Sequence, residues 1–193
     1  MECALKELQI RRQALVKQRI AHQARTVRLK HSLLKRQNTK RLIEIEKEIK
    51  AIDTEISTII NSDQNLKQRH EILVSIPGIS NISAAMLLIG APELGCLERG
   101  QITSLAGVAP MTKQSGQWKG RDHIQGGRSL LRKALYMPAL VAARYNPDLK
   151  AVYQRLVAAG KPPKVAITAV MRKLIVLANT RLRQQRCSAP KTA

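Results

Sequence analysis

Ser115 is followed by glycine and stands among Lys113, Lys119 and Arg121. The surrounding stretch, residues 109–128, also holds the only tryptophan and four glycines. A serine hydroxyl that attacks a phosphodiester needs cations to stabilise the charge that builds on the phosphate oxygens. It also needs a backbone that can bring the oxygen in line. Glycine supplies such backbone, because it reaches positive φ and permits close approach of a phosphate. Trp118 would pack on a base or sugar, or anchor the loop. The same residues also fit a basic, solvated loop that binds nucleic acid without chemistry, since Ser-Gly pairs are common in turns. Gly126 and Gly127 precede Arg128, and a helix is predicted over 129–144 with Arg132 and Lys133 at its start. The positive end of that helix makes Gly126, Gly127, Arg128 and Arg132 a second candidate phosphate site. Ser129 is a rival nucleophile, although an N-cap role fits it better.

A third candidate lies upstream. Ile76-Pro77-Gly78-Ile79 leads into the small-residue run Ile82-Ser83-Ala84-Ala85, the pattern of a helix-hairpin-helix. Its glycine turn and following helix N-terminus present N–H groups to a DNA phosphate, which makes Pro77, Gly78 and Ile79 candidate backbone contacts. Ser80 or Asn81 would cap the second helix. Cys3, Cys96 and Cys187 lie far apart and form no Cys/His cluster, which argues against structural zinc or a disulfide framework. Glu44, Glu46, Glu48, Asp53 and Glu55 could in principle hold metal ions, but on a heptad helix a solvated flank is the default reading. No metal site is assigned.

These loops need helices to hold them. Residues 4–36 carry no Gly or Pro and read as one long basic helix, with 12 Lys/Arg against two acids up to Arg41. Leu42, Ile45, Ile49, Ile52, Ile56 and Ile59 then recur at alternating steps of three and four, a heptad seam. The weaker helix formers of residues 35–39 suggest the turn of an antiparallel helical hairpin; pairing of the seam between chains is the alternative. Helices follow over 64–75, 99–106 and 149–159, and Pro138 is expected to kink the helix of 129–144 or mark an irregular turn. The last helix, 164–183, is apolar on most faces and therefore expected in the core. The expectation is an all-α protein with three regions: an arm over 1–68, a helical domain over 69–185 and a basic tail over 186–193.

Composition points the same way. The net charge of +21, from 34 basic and 13 acidic residues in 193, calls for a polyanionic partner, with nucleic acid the leading candidate. Phenylalanine is absent and aromatics make up 2 % of the chain, which argues for backbone contacts over stacking platforms. No signal-peptide core and no run of 18 apolar residues occurs, so a cytoplasmic, membrane-free protein is expected.

In order, Ile76-Pro77-Gly78-Ile79 with Ile82 and Ala84-Ala85, Leu105-Ala106-Gly107-Val108-Ala109-Pro110, Ser115-Gly116 with Gly120, Gly126-Gly127-Arg128, and Leu131-Arg132 with Ala134-Leu135 form one string. It resembles the C-terminal half of the RNA-guided, bridge-RNA insertion-sequence transposases related to pilin-gene invertases, over about residues 10–185. The resemblance implies a coiled-coil segment and a helical transposase domain whose serine, here Ser115, becomes joined to DNA. It also implies a preceding RuvC-like domain with a carboxylate metal site. The acids and the absence of a convincing strand do not supply that domain here, so Mg²⁺ is expected only outside this chain. DNA, a structured guide RNA, and a second copy or a full-length transposase paired through the coiled coil are the implied partners. A truncated or split transposase is one reading. A non-catalytic nucleic-acid-binding regulator is the second, and a purely structural coiled-coil protein the third.

Overall fold

The computed structural model describes residues 2–112, 114–115, 118–119 and 122–188. The all-helical expectation holds: eight helices account for most of the described residues, and the strands are four two-residue pieces. The chain divides into two compact units, Met1–Lys67 and Gln68–Ala193.

The first unit is an antiparallel hairpin of α1 (Glu2–Arg28) and α2 (Ser32–Ser62). Leu15 packs on Ile45 and Ile49, with Val16 and Ile52 beside them. Ile56 and Ile60 are also buried, whereas Leu42, Ile52 and Ile59 of the heptad series are half-buried. A straight helix drifts about 20° per heptad against a 3.5-residue repeat, which moves burial from Ile59 to Ile60. The opposed charges of the two helices also meet. Arg12 forks onto Asp53, and Arg11 bonds Glu48 at 2.8 Å. These pairs are partly solvated, so each contributes about 1 kcal/mol or less.

The turn is not where propensity places it. The first helix stops at Arg28, and residues 29–31 connect it to α2, which runs unbroken through 35–39. Poor helix formers cost only a few tenths of a kcal/mol each, and Asn38 offsets that through contacts made only in the hairpin. Its amide donates to His22 O at 2.9 Å and Thr26 Oγ1 at 2.8 Å, and its carbonyl oxygen lies 2.6 Å from His22 Nδ1. Asn38→Ala is expected to cost about 1–2 kcal/mol. The loss should register as faster hydrogen exchange of the α1 and α2 amides, with amides of the second unit unchanged.

The second unit contains α3 (Gln64–Val74, which begins in the first unit), α4 (Asn81–Gly90), α5 (Arg99–Leu105), α6 (Ser129–Tyr145), α7 (Pro147–Ala158) and α8 (Pro163–Ser188). As expected from its composition, α8 is central. It buries Ile167, Val170, Leu174, Ile175, Ala178 and Leu182 in the aliphatic core and packs on α5, α6 and α7. Its Asn179 is buried, accepting from Gly95 N–H at 2.8 Å and donating to Leu97 O at 2.7 Å, which ties down the loop between α4 and α5. Helix α6 continues through the buried Pro138. Asn146 closes α6 and caps α7, its side chain accepting from Leu149 N–H, with Pro147 at the first helical position.

Candidate active-site loop

Residues 106–128 leave the C-terminal end of α5 and return to the start of α6. The sequence shows no strand periodicity here, yet the backbone forms two short antiparallel ladders. In the first, β1 (Pro110–Met111) pairs with β4 (His123–Ile124), matching Pro110 with Ile124 and Met111 with His123. In the second, β2 (Gln114–Ser115) pairs with β3 (Trp118–Lys119), matching Gln114 with Lys119 and Ser115 with Trp118. Ladders of two residues rest on backbone hydrogen bonds and are too short to leave a period-two side-chain pattern. The ribbon therefore carries the Ser115 backbone opposite that of Trp118. Lys113, Gly116 and Arg121 lie outside the described residues, and the side chains of Ser115, Trp118 and Lys119 are likewise not described.

The base of the ribbon is closed by glycine contacts. Gly107 and Gly127 both have positive φ, +63° and +65°. A Cβ on Gly127 would lie 2.5 Å from Gly107 Cα and 2.7 Å from Ser104 O. Only two glycines allow the outgoing and returning strands to cross so closely. Arg128 N–H donates to Leu105 O at 2.7 Å and closes the crossing. Gly126, at φ +71°, has open space where its Cβ would be. The N-cap of α6 is Arg128, with Ser129 the first helical residue, so Ser129 does not cap the helix.

The two arginines expected at a phosphate are engaged by protein acceptors. Arg128 holds Glu93 with both terminal nitrogens, at 2.9 and 2.7 Å, and Gly90 O at 3.0 Å. The hydrogen bond to Glu93 raises the Arg128 pKa above its ordinary value, burial opposes it, and the charge of Glu93 adds to the rise. Arg132 donates to Gly126 O at 2.7 Å and Gly107 O at 3.3 Å. Arg128 thus ties α6 to the end of α4, and Arg132 ties it to the ribbon base. Glu93, 35 residues from its partner, carries no local signal that would have singled it out.

The Pro77-Gly78-Ile79 turn joins α3 to α4. Ser80 caps α4, its hydroxyl accepting from Ser83 N–H as the sequence suggests. Ile79 is buried and its N–H bonds Ile76 O. Gly78, at φ +109°, lies against α6, where an added Cβ would fall 2.7 Å from Ala142 Cβ. Ala142 is 14 residues along α6 from Arg128, about 21 Å at the helical rise. The turn and the ribbon base therefore sit at opposite ends of α6, and the structure does not bring these candidate sites together.

A cycle of Arg128→Ala, Glu93→Ala and the double variant tests the structural role. Each single change is expected to cost about 1–2 kcal/mol, with a coupling of about 1 kcal/mol because the pair is half exposed. Urea denaturation reads it, and a coupling near zero would remove the anchoring role.

Residues 70–154, from α3 into α7, match the transposase family described as IS116/IS110/IS902. The matched residues include both the turn and the ribbon. The chain is also similar to the pilin gene-inverting protein of Moraxella bovis, with 33 % identity over 143 residues, covering 72 % of this chain and 44 % of that protein. A Mycobacterium paratuberculosis protein described as an uncharacterized 42 kDa protein of insertion element IS900 is 30 % identical over 155 residues, covering 77 % and 39 %. The chain spans less than half the length of these relatives. No helix among the described residues is long and apolar enough to cross a membrane.

Proposed function

We propose that this chain handles DNA in an insertion-element transposase or recombinase, with Ser115 as the nucleophile. The observation that supports this best is the family match over 70–154, which encloses the ribbon carrying Ser115 in a chain of net charge +21. The Ser115 oxygen attacks a backbone phosphorus, an Oγ–P bond forms, and a P–O bond to deoxyribose breaks. The leaving sugar oxygen takes a proton, and the strand stays joined to the protein. Attack by a deoxyribose hydroxyl in a second step reverses the link. Lys113, Lys119 and Arg121 neutralise the phosphate oxygens in this scheme, and Trp118 packs on a base or sugar. In the Pro77-Gly78-Ile79 turn only the Gly78 amide is left for a phosphate, because Pro77 has no N–H and that of Ile79 bonds Ile76 O; it and the open face of Gly126 give further backbone contacts. Arg128, Arg132 and Gly127 position the ribbon rather than hold phosphate.

Mg²⁺ would come from a RuvC-like domain outside these residues. In the arm, Arg12 and Arg11 already engage Asp53 and Glu48, so the acids there do not fit a metal set and no step is routed through them. A structured guide RNA, and a second copy or a longer transposase pairing through a coiled-coil arm, are the partners this reading implies, acting in the cytoplasm.

The test is an end-labelled donor DNA incubated with the chain, with and without a RuvC-domain fragment and Mg²⁺. A covalent protein–DNA product whose tryptic peptide carries the nucleotide on Ser115 supports the proposal. Salt-sensitive binding with no covalent product in any condition points to the non-catalytic regulator.

A further inference from the structure

Beside the ribbon stem the second unit has a concavity of about 980 Å³, between β1/β4 and the turn from α7 to α8. Val108, Pro110 and Ile124 form one apolar wall, Val165 and Ala169 the other, and Lys161 and Arg172 stand on its edge. A second concavity, about 490 Å³, follows between α5, α7 and α8. It is floored by Val152, Leu156, Val176 and Leu177 and edged by Arg99, Arg155 and Lys173. Ala169 and Arg172 line both, so the two meet there. From Val165 to Thr180 the trough follows α8 for about 22 Å.

We infer that this trough binds single-stranded DNA, the strand that continues from the phosphate held at the ribbon. The inference rests on the DNA reading above. Three features carry it. The floor is aliphatic, and a single strand exposes base and sugar faces that an apolar floor can cover, whereas a duplex keeps its bases inside. The rim is cationic: Lys161, Arg172, Lys173, Arg155 and Arg99 make no ion pair among the described residues, against two acids, Asp122 and Asp148, in the lining. Its mouth is the stem itself, since His123 and Ile124 of β4 line the first concavity. A strand leaving the ribbon enters it directly, which favours the cut DNA over a separate RNA. Arg172, half-buried where the concavities meet, is the central contact.

Fluorescence anisotropy with the full chain tests this, using a labelled 12-nucleotide DNA, an RNA of the same sequence and the duplex DNA. Lys161→Ala/Arg155→Ala/Arg172→Ala is expected to weaken single-stranded DNA binding about tenfold or more and to lower the salt slope by about 2, three phosphate contacts at about 0.7 each. An equal-charge control elsewhere, Lys40→Ala/Arg144→Ala/Lys150→Ala, should lose far less. If the Arg172 variant fails to fold, Lys161→Glu/Arg155→Glu, both exposed, should give the same selective loss. Equal losses in the control, an equal loss for duplex, or a selective loss for RNA would each overturn the inference. Ser115→Ala separates the two proposals: it should leave trough affinity unchanged. A covalent product at Ser115 with an unaltered trough affinity in the triple variant would overturn the trough and leave the nucleophile standing.

Discussion

Ser115→Ala is expected to abolish the covalent protein–DNA product, a loss of at least about a thousandfold, while equilibrium DNA binding stays within about twofold. The ladder that places Ser115 opposite Trp118 is made of backbone, so removing one oxygen removes the attacking atom and leaves the ribbon. Ser115→Thr keeps a hydroxyl on a residue that suits a strand and should retain part of the activity. Labelled donor DNA on a denaturing gel, alongside anisotropy of the same DNA, reads both quantities. A product that persists in Ser115→Ala would move the nucleophile elsewhere. Ser129, exposed at the first position of α6, would then be tested next.

The largest stability effect is expected from Gly127→Ala, about 3 kcal/mol or more. An alanine at φ +65° costs about 1–2 kcal/mol in backbone strain. Its Cβ would also meet backbone atoms of Gly107 and Ser104 that no side-chain rotation can move aside, adding about 1–3 kcal/mol. Relief requires the crossing to open, which would separate Arg128 N–H from Leu105 O and Arg132 from the carbonyls of Gly107 and Gly126. Covalent product should fall together with stability. Gly126→Ala is the control, because its φ is similar but its Cβ points to open space, so only the strain applies. Urea denaturation of the pair measures the difference, and equal costs would mean that the close crossing contributes nothing.

Much of the helical framework was legible. Apolar spacing and capping are local properties, so the helix of 64–75, a cap at Ser80 or Asn81, the short helix ending before Gly107 and the central α8 could be placed from neighbours within a turn or two. The hairpin was legible as one of two alternatives. Its turn was not, because propensity pointed to 35–39 while the Asn38 contacts with His22 and Thr26, 16 and 12 residues away, draw that segment into α2.

The candidate loop divides in the same way. Residue types alone marked Ser115, the surrounding cations and the glycines as a candidate for phosphate chemistry, with a basic, solvated loop as the alternative. Chain order alone could not say that Gly127 crosses Gly107, that Arg128 is held by Glu93, or that Arg132 braces the ribbon. Nor could it place Lys161 and Arg172 of the α7–α8 region on one edge beside His123. Those are meetings of segments 20 to 50 residues apart, and packing of the aliphatic core around α8 decides them. The sequence by itself determined most of the helices and a net charge that favours a polyanionic partner. The tertiary structure decided which cations are engaged by the protein and which face solvent, because a guanidinium beside a carboxylate and one beside solvent are the same letter in the chain.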